Sequence, residues 1–493
     1  MNVPRSQSPF LLVLLVVGLL GLLSFLRPGL NVGGVELRPV RLLADVLRRP
    51  GRRAAPASLP PPNGPAAGRT AAAPASPDPH GEQAPAVANL GGLDNFLAAL
   101  RQTKADGHKT RIAYFGDSMI EGDLITGDLR NSLQTAFGGS GVGYVPITSI
   151  TAEFRSTIHQ TFSSDWREYN LVSPELPAAY PLGISGHVFL PHVAGAPTDS
   201  STSSAESWVD FQTSRQFAPL RRFAEARLFY GPGAGGDQVL ATTDGHAVPH
   251  ALAGSQAVNE LLLKPGTPAR HLRLAFATHA PRPVYGVSFE EEQGITLDNF
   301  SFRGNSGMSL TRIPPRQLAA FGQVQPYDLI ILHYGVNVAS AKVKSYTFYE
   351  RAMTRVVDRM QRAFPRASIL IVGMSDKSSR SEGEFTTDPS VPLLLAAQQR
   401  VARRNHVAFW NLFEAMGGEN SMVSWVEDSP ALANKDYTHV NSRGARRIAD
   451  LLYAYLMGEY ARPAAPVRPA SSPTAPARPD SAASSAALPT ATR

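Results

Sequence analysis

Apolar runs of strand length that stop abruptly at a short polar segment, each followed by helical spacing, constrain this 493-residue chain most. Arg111-Ile-Ala-Tyr-Phe115 runs straight into Gly116-Asp117-Ser118, and helical spacing follows over 124–137. Asp328-Leu-Ile-Ile-Leu332 runs into His333-Tyr334-Gly335-Val336-Asn337, with a helix expected over 349–364. Further strands are expected at 367–373 and 407–412, and further helices at 93–100, 393–406 and 442–456. Strands that are apolar throughout, alternating with helices, predict a parallel sheet covered on both faces.

Residues 148–284 break this rhythm. Short strand-like runs at 187–190, 208–213, 226–230, 239–243, 260–263 and 272–278 are separated by Gly, Pro and Asp clusters. In His271-Leu-Arg-Leu-Ala-Phe-Ala-Thr278 apolar and other residues alternate, as on a half-buried strand. The reading is an all-β sandwich at 148–284, inserted into an α/β domain formed by 91–147 and 285–460. No internal repeat is evident.

The ends differ in kind. Residues 10–26 form a 17-residue uncharged run, preceded by Arg5 and closed by Arg27-Pro28. That length just spans a bilayer core, and no small-x-small cleavage site follows it, so residues 1–30 read as an uncleaved signal anchor. Arg38, Arg41, Arg48, Arg49, Arg52 and Arg53 follow the run and would favour a cytoplasmic side, whereas long domains are exported despite such charges. The paired arginines either touch anionic lipid or belong to a solvated linker. Residues 31–90 read as a Pro/Ala-rich spacer and 461–493 as a disordered tail, because such segments bury too little apolar surface to offset their ordering entropy.

Net charge is +7, yet nine Arg against four acids in 1–90, and four Arg against one Asp in 461–493, leave −1 on 91–460. The basicity lies in the ends, which argues against a nucleic-acid-binding fold. The absence of cysteine excludes disulfides, thiolate metal sites and a cysteine nucleophile.

Three short segments at strand ends carry candidate chemistry, since open α/β sheets bind ligands outside the carboxyl ends of their strands. Ser118 either presents a hydroxyl and a free N–H on its turn or caps a helix. Asp436-Tyr-Thr-His439 either supplies an orienting carboxylate and a base from one loop or is a polar turn before the last helix. Asn337 either donates its amide to an oxyanion or satisfies loop backbone. Asp117 is placed within the first turn with no proton-transfer role, and His333 has no evident partner. Trp166, Trp208 and Tyr230 either stack on sugar rings or belong to the core or rim of the insert.

Together these segments resemble the SGNH/GDSL hydrolases, esterases and lipases of a three-layer flavodoxin-like α/β fold. The resemblance rests on Gly116-Asp117-Ser118, a Gly within Asn299-Phe-Ser-Phe-Arg-Gly304-Asn-Ser-Gly307, Gly335-Val336-Asn337, and Asp436-Tyr-Thr-His439, in that order. It implies Ser118 as nucleophile, His439 as general base and then acid, and Asp436 as its orienter. It also implies an oxyanion hole of the Ser118 and Gly304 N–H groups and the Asn337 amide, with no metal or organic cofactor. Gly304 is preferred to Gly307 because it directly follows the candidate strand. Met119 replaces the usual Leu, and Val338 stands where many members have an acid.

Glu121-Gly-Asp-Leu-Ile-Thr-Gly127, Gly138-Gly-Ser-Gly-Val-Gly-Tyr-Val-Pro146 and Val284-Tyr-Gly-Val-Ser-Phe-Glu290 narrow the resemblance to a bacterial extracytoplasmic branch. That branch includes peptidoglycan O-acetylesterases, and some members carry a β-sandwich similar to carbohydrate-binding modules between the first two blocks. The expectation is a membrane-anchored esterase, in the periplasm or at the cell exterior, removing O-acetyl groups from an envelope polysaccharide, peptidoglycan first. A polysaccharide O-acetyltransferase with the same triad and a non-catalytic carbohydrate-binding protein are the alternatives. The oligomeric state is not fixed by these features.

Overall fold

The computed structural model describes residues 92–193, 206–233 and 235–462, together with the secondary structure of 30–32 and 35–37. The chain divides into two units, residues 1–81 and 82–493. In the first, the described part is an antiparallel pair, Leu30–Val32 with Val35–Leu37. The apolar run at 10–26 lies outside the described residues, as do most of the spacer and tail. Among the described residues no helix is long and apolar enough to cross a membrane.

The second unit is built on a five-stranded parallel sheet of β1 (Thr110–Gly116), β2 (Ile295–Ser301), β3 (Leu329–His333), β4 (Ser368–Val372) and β5 (Ala408–Trp410). The spatial order is β2-β1-β3-β4-β5, the flavodoxin-like order, which reverses direction between β1 and β3. Alternate residues of each strand face opposite layers. Ile112, Tyr114, Leu329 and Ile331 pack with α1 (Asp94–Asp106), α2 (Thr126–Phe137) and α6 (Ser442–Ala461). Ala113, Phe115, Ile330 and Leu332 pack with α3 (Pro315–Val324), α4 (Thr347–Ala363) and α5 (Ser390–Arg404). Two covered faces explain why these strands read as unbroken apolar runs. The three-layer α/β core expected from the sequence is present, with antiparallel sheets added to it.

Those added sheets form the insert. One five-stranded sheet runs in the order 246–251, 238–243, 271–277, 207–213, 158–162. The other runs 259–263, 225–230, 284–290, 187–190, 167–170, with Gly143–Pro146 also paired to Val284–Glu290. A core that includes Val209, Phe211, Leu228, Leu274 and Phe289 lies between them. The sandwich thus extends over 143–290, beyond the expected 148–284. Val284–Glu290 is buried along its whole length, because one side packs on the α/β domain, and it therefore lacks the alternation that marks an insert strand. Strands Ile158–Phe162, Arg167–Asn170 and His246–Ala251 and helix α3 were not anticipated. Their hydrophobic content is low or their apolar faces short.

The insert and the α/β domain share one core. Phe321 of α3 lies with its ring 6.0 Å from Phe229 and 5.4 Å from Tyr285 of the sandwich. Beneath the adjoining surface, Glu290 is ion-paired with Lys109, Arg111 and Arg227. The sandwich is fixed to the rim of the sheet rather than tethered.

Candidate active site

Sheet register alone aligns three of the sequence blocks. Gly116 is the Cα partner of Ser301 on β2 and of His333 on β3. The turns that follow these three residues therefore leave the sheet side by side, at the point where strand order reverses. They carry Ser118, Gly304 and Asn337. The fourth block arrives on the loop before α6 and is tied in by the Ser378 N–H, which donates to the Tyr437 carbonyl at 2.9 Å.

The four blocks converge on a cleft of about 600 Å³ that Ser118, Gly304, Asn337, Asp436 and His439 line. Ser118 Oγ lies 3.0 Å from His439 Nε2. His439 Nδ1 lies 2.8 Å from Asp436 Oδ2. Asp436 Oδ1 accepts from the backbone N–H groups of Thr438 and His439, each at 3.0 Å. Burial opposes ionisation of Asp436, but the bonds from His439 and Thr438 hold its carboxyl below the ordinary value. The geometry keeps a hydrogen on Nδ1 and leaves Nε2 to accept from the serine. Tyr437, between them, has φ +54°, and its ring stacks on Phe385 of the Ser378–Ser381/Glu384–Thr387 hairpin at 3.7 Å and 7°.

The Ser118 turn is a 3-10 turn over Ser118–Asp123, capped by Asp117 Oδ1, which accepts the Met119 N–H at 3.0 Å. The backbone N–H groups of Ser118 and Gly304 have no partner among the described residues, and both residues line the cleft. Gly304 has φ +75° with nothing within 4 Å of a Cβ placed there, so the position demands glycine by conformation, not space. Gly307 also has positive φ, but a Cβ there would meet the Tyr334 ring at 2.7 Å. It packs inward and does not reach the cleft.

Asn337 lines the cleft, but its amide is already engaged. Nδ2 donates to Asp117 Oδ2 at 3.0 Å and to the Asn305 carbonyl at 3.1 Å. Sequence reasoning left Asp117 as a local turn residue; its bond to Asn337 spans 220 positions and has no sequence signal. Burial pushes the Asp117 carboxyl up to about 6, against the Met119 and Asn337 bonds and the charge of His439.

Other residues take structural places. His333 is buried with Nδ1 3.1 Å from the Tyr114 hydroxyl, and burial pushes it down to about 4. Trp166 donates Nε1 to the Trp208 carbonyl at 3.1 Å and packs edge-on against Phe276. Trp208 lies under the Arg273 guanidinium at 4.0 Å, and Tyr230 is buried. Asp123, just after the Ser118 turn, is buried and accepts from Arg130 of α2, Arg155 and Thr157 of the insert, and Asn299 of β2. Among the described residues no group of three or more His, Asp or Glu side chains is arranged to hold a metal ion.

The profile of the GDSL-like lipase/acylhydrolase family matches residues 269–447. No curated protein matches the chain in sequence. Among solved structures, a peptidoglycan O-acetylesterase superposes with a TM-score of 0.61 at 21% identity, over 76% of this chain and 99% of that one. That likeness is one of fold. Weaker likenesses include a Bacillus subtilis protein, with TM-score 0.30, 12% identity and coverage of 61% and 90%. A family two carbohydrate esterase from Clostridium thermocellum follows with 0.27, 11%, 61% and 98%. The parallel sheet, the four ordered blocks at its carboxyl edge and the family match over residues 269–447 agree: that part of the chain matches the GDSL-like lipase/acylhydrolase family, and the fold and site around it are those of an SGNH-type esterase.

Proposed function

We propose that this esterase removes O-acetyl groups from a cell-envelope polysaccharide, peptidoglycan first among candidates. The observation that carries the chemistry is the continuous relay from Ser118 Oγ through His439 to Asp436, opening on one cleft. Ser118 Oγ attacks the acetyl carbonyl carbon as its proton passes to His439 Nε2. The oxyanion is held by the N–H groups of Ser118 and Gly304, and by the Asn337 amide once Nδ2 turns one hydrogen away from the Asn305 carbonyl. His439 then protonates the departing sugar oxygen, leaving acetyl-Ser118. Water, deprotonated by His439, attacks that ester and acetate leaves, restoring the serine. Asp436 holds the imidazole tautomer and stabilises its charged form throughout.

The His439 side chain is 39% exposed and that of Asp436 50%. This access to solvent favours water over a sugar hydroxyl as the acyl acceptor, and so hydrolysis over transfer. The substrate reading is supported by the sandwich beside the cleft and by the fold shared with a peptidoglycan O-acetylesterase. A location outside the cytoplasm, with residues 10–26 as anchor, belongs to the same proposal, because acetylated envelope glycan is found there. The test is free acetate from O-acetylated peptidoglycan, with Ser118→Ala alongside. Release by the parent chain alone supports the reading. Ser118-dependent turnover of an aryl acetate without release from peptidoglycan keeps the chemistry and removes the substrate.

A further inference from the structure

Beside the catalytic cleft lies a second one of about 320 Å³, within the ~300–1,000 Å³ usual for small-ligand sites. Glu121, Gly122 and Arg303 line both clefts. The two are therefore contiguous, separated by the ion pair of Arg303 and Glu121, in which Nε donates to Oε2 at 2.8 Å. The Arg303 side chain is 61% exposed, so this pair forms a ridge between the clefts. The far wall belongs to the sandwich.

The ionisable side chains of the second cleft are paired with one another. Its lining holds three basic side chains, Arg155, His187 and Arg303, and three acidic ones, Glu121, Asp123 and Glu168. Arg155 pairs with Asp123, His187 with Glu168 and Arg303 with Glu121. Each of these groups is already engaged with a partner, so none stands free to select a phosphate, a carboxylate or an ammonium group. What the cleft offers is the Ser301 hydroxyl, the second amide hydrogen of Asn170, whose first goes to Glu168 Oε1, and the remaining lone pairs of the Thr148 and Ser149 hydroxyls, which are bonded to Glu168 and Thr151 respectively. Its rim carries bare apolar surface, with Ile150 80% and Val172 67% exposed. On its floor Phe302 lies against the His187 ring at 5.1 Å. Neutral polar groups interleaved with apolar faces suit a pyranose, which presents hydroxyls at its edge and C–H groups on its face.

We propose that this cleft is a second sugar subsite, which takes a neutral hexose or N-acetylhexosamine unit linked to the acetylated sugar bound beside Ser118. The inference rests on the reading that the substrate is a polysaccharide. The glycosidic chain crosses the Glu121–Arg303 ridge, and the sandwich supplies binding that a small ester does not reach.

The experiment uses the full chain carrying Ser118→Ala, titrated calorimetrically with a neutral β-1,4-linked N-acetylglucosamine tetrasaccharide. Asn170→Ala and, separately, Thr148→Trp are added, with circular dichroism melting curves to check folding. Binding is expected, weakened about tenfold by Asn170→Ala, the loss of a hydrogen bond or two, and at least as much by Thr148→Trp. In the active chain, both substitutions are expected to lower kcat/KM on O-acetylated peptidoglycan about tenfold more than on an aryl acetate, mostly through KM. No binding at millimolar tetrasaccharide, or binding that both folded variants leave unchanged, overturns the subsite. If the tetrasaccharide binds through this cleft but no acetate leaves peptidoglycan, the subsite stands and the proposed substrate falls. If Ser118-dependent acetate release is unaffected by either substitution, the proposed function stands and the subsite falls.

Discussion

Asp117 Oδ2 accepts a hydrogen bond from Asn337 Nδ2 at 3.0 Å, joining the turn after β1 to the loop after β3. The second Nδ2 hydrogen goes to the Asn305 carbonyl, adjacent to Gly304. The residues proposed for the oxyanion hole are thus wired to one another before any substrate enters. For Asn337 to donate to a carbonyl oxygen it exchanges its bond to the Asn305 carbonyl, while the bond to Asp117 keeps the amide in place at the cleft.

Asn337→Ala is expected to lower kcat about 10²–10³-fold, with little change in KM, as when one oxyanion donor is removed. Asp117→Ala should lower kcat in the same direction by releasing Asn337, and should also cost about 1 kcal/mol through the lost cap. Steady-state kinetics on an aryl acetate with a denaturation curve for each variant check both. A change confined to KM would count against the assignment.

The Asp117 carboxyl should titrate near 6, and carbon NMR of that carboxyl would read it directly. Burial is the main cause, since it disfavours the charged form. The folded protein then binds a proton between about pH 4 and pH 6 that the unfolded chain does not, so this site's contribution to stability grows as pH falls through that window. Asn337→Ala removes a bond that favours the ionised form, and should move the titration further up. A value near 4 in the parent chain would contradict the buried placement.

Much of this arrangement was legible in the chain. The β1 and β3 runs, buried on both faces, showed as unbroken apolar stretches, and each ended at a polar block because the sheet's carboxyl edge faces solvent. The fourth block was readable because Asp436 and His439 meet within one loop. What was hidden depends on distance in sequence. Arg303 and Glu121 are 182 positions apart, and the insert lies between them. Asn337 and Asp117 are separated by the same insertion. Val284–Glu290 misled the boundary because its second face is covered by the α/β domain rather than by solvent.

Gly304→Ala tests a conformational demand without a steric one. At φ +75° with open space around it, an L-residue costs roughly 1–2 kcal/mol. The melting temperature should fall by a few degrees, about what such an energy implies for a domain of this size. Activity should fall by more than the unfolded fraction explains, since the N–H facing the cleft turns with the backbone. Gly307→Ala, whose Cβ would collide with Tyr334, should instead impair folding.

Phe385 holds the acid–base loop through its stack on Tyr437. An aromatic pair contributes about 0.5–1.5 kcal/mol, so Phe385→Ala should lower kcat several-fold, and Phe385→Tyr should restore it. Equal activity in all three chains would show that the Ser378–Tyr437 backbone bond alone positions His439.

Acetate release from O-acetylated peptidoglycan, by the full chain and by its Ser118→Ala variant, bears most directly on the proposed function. Release by the parent chain with a loss of about 10⁴-fold or more in the variant is expected for a serine that forms the acyl-enzyme. Equal release by the two chains would contradict the role of Ser118, and no release by the parent chain, with an aryl acetate still hydrolysed, would contradict the substrate.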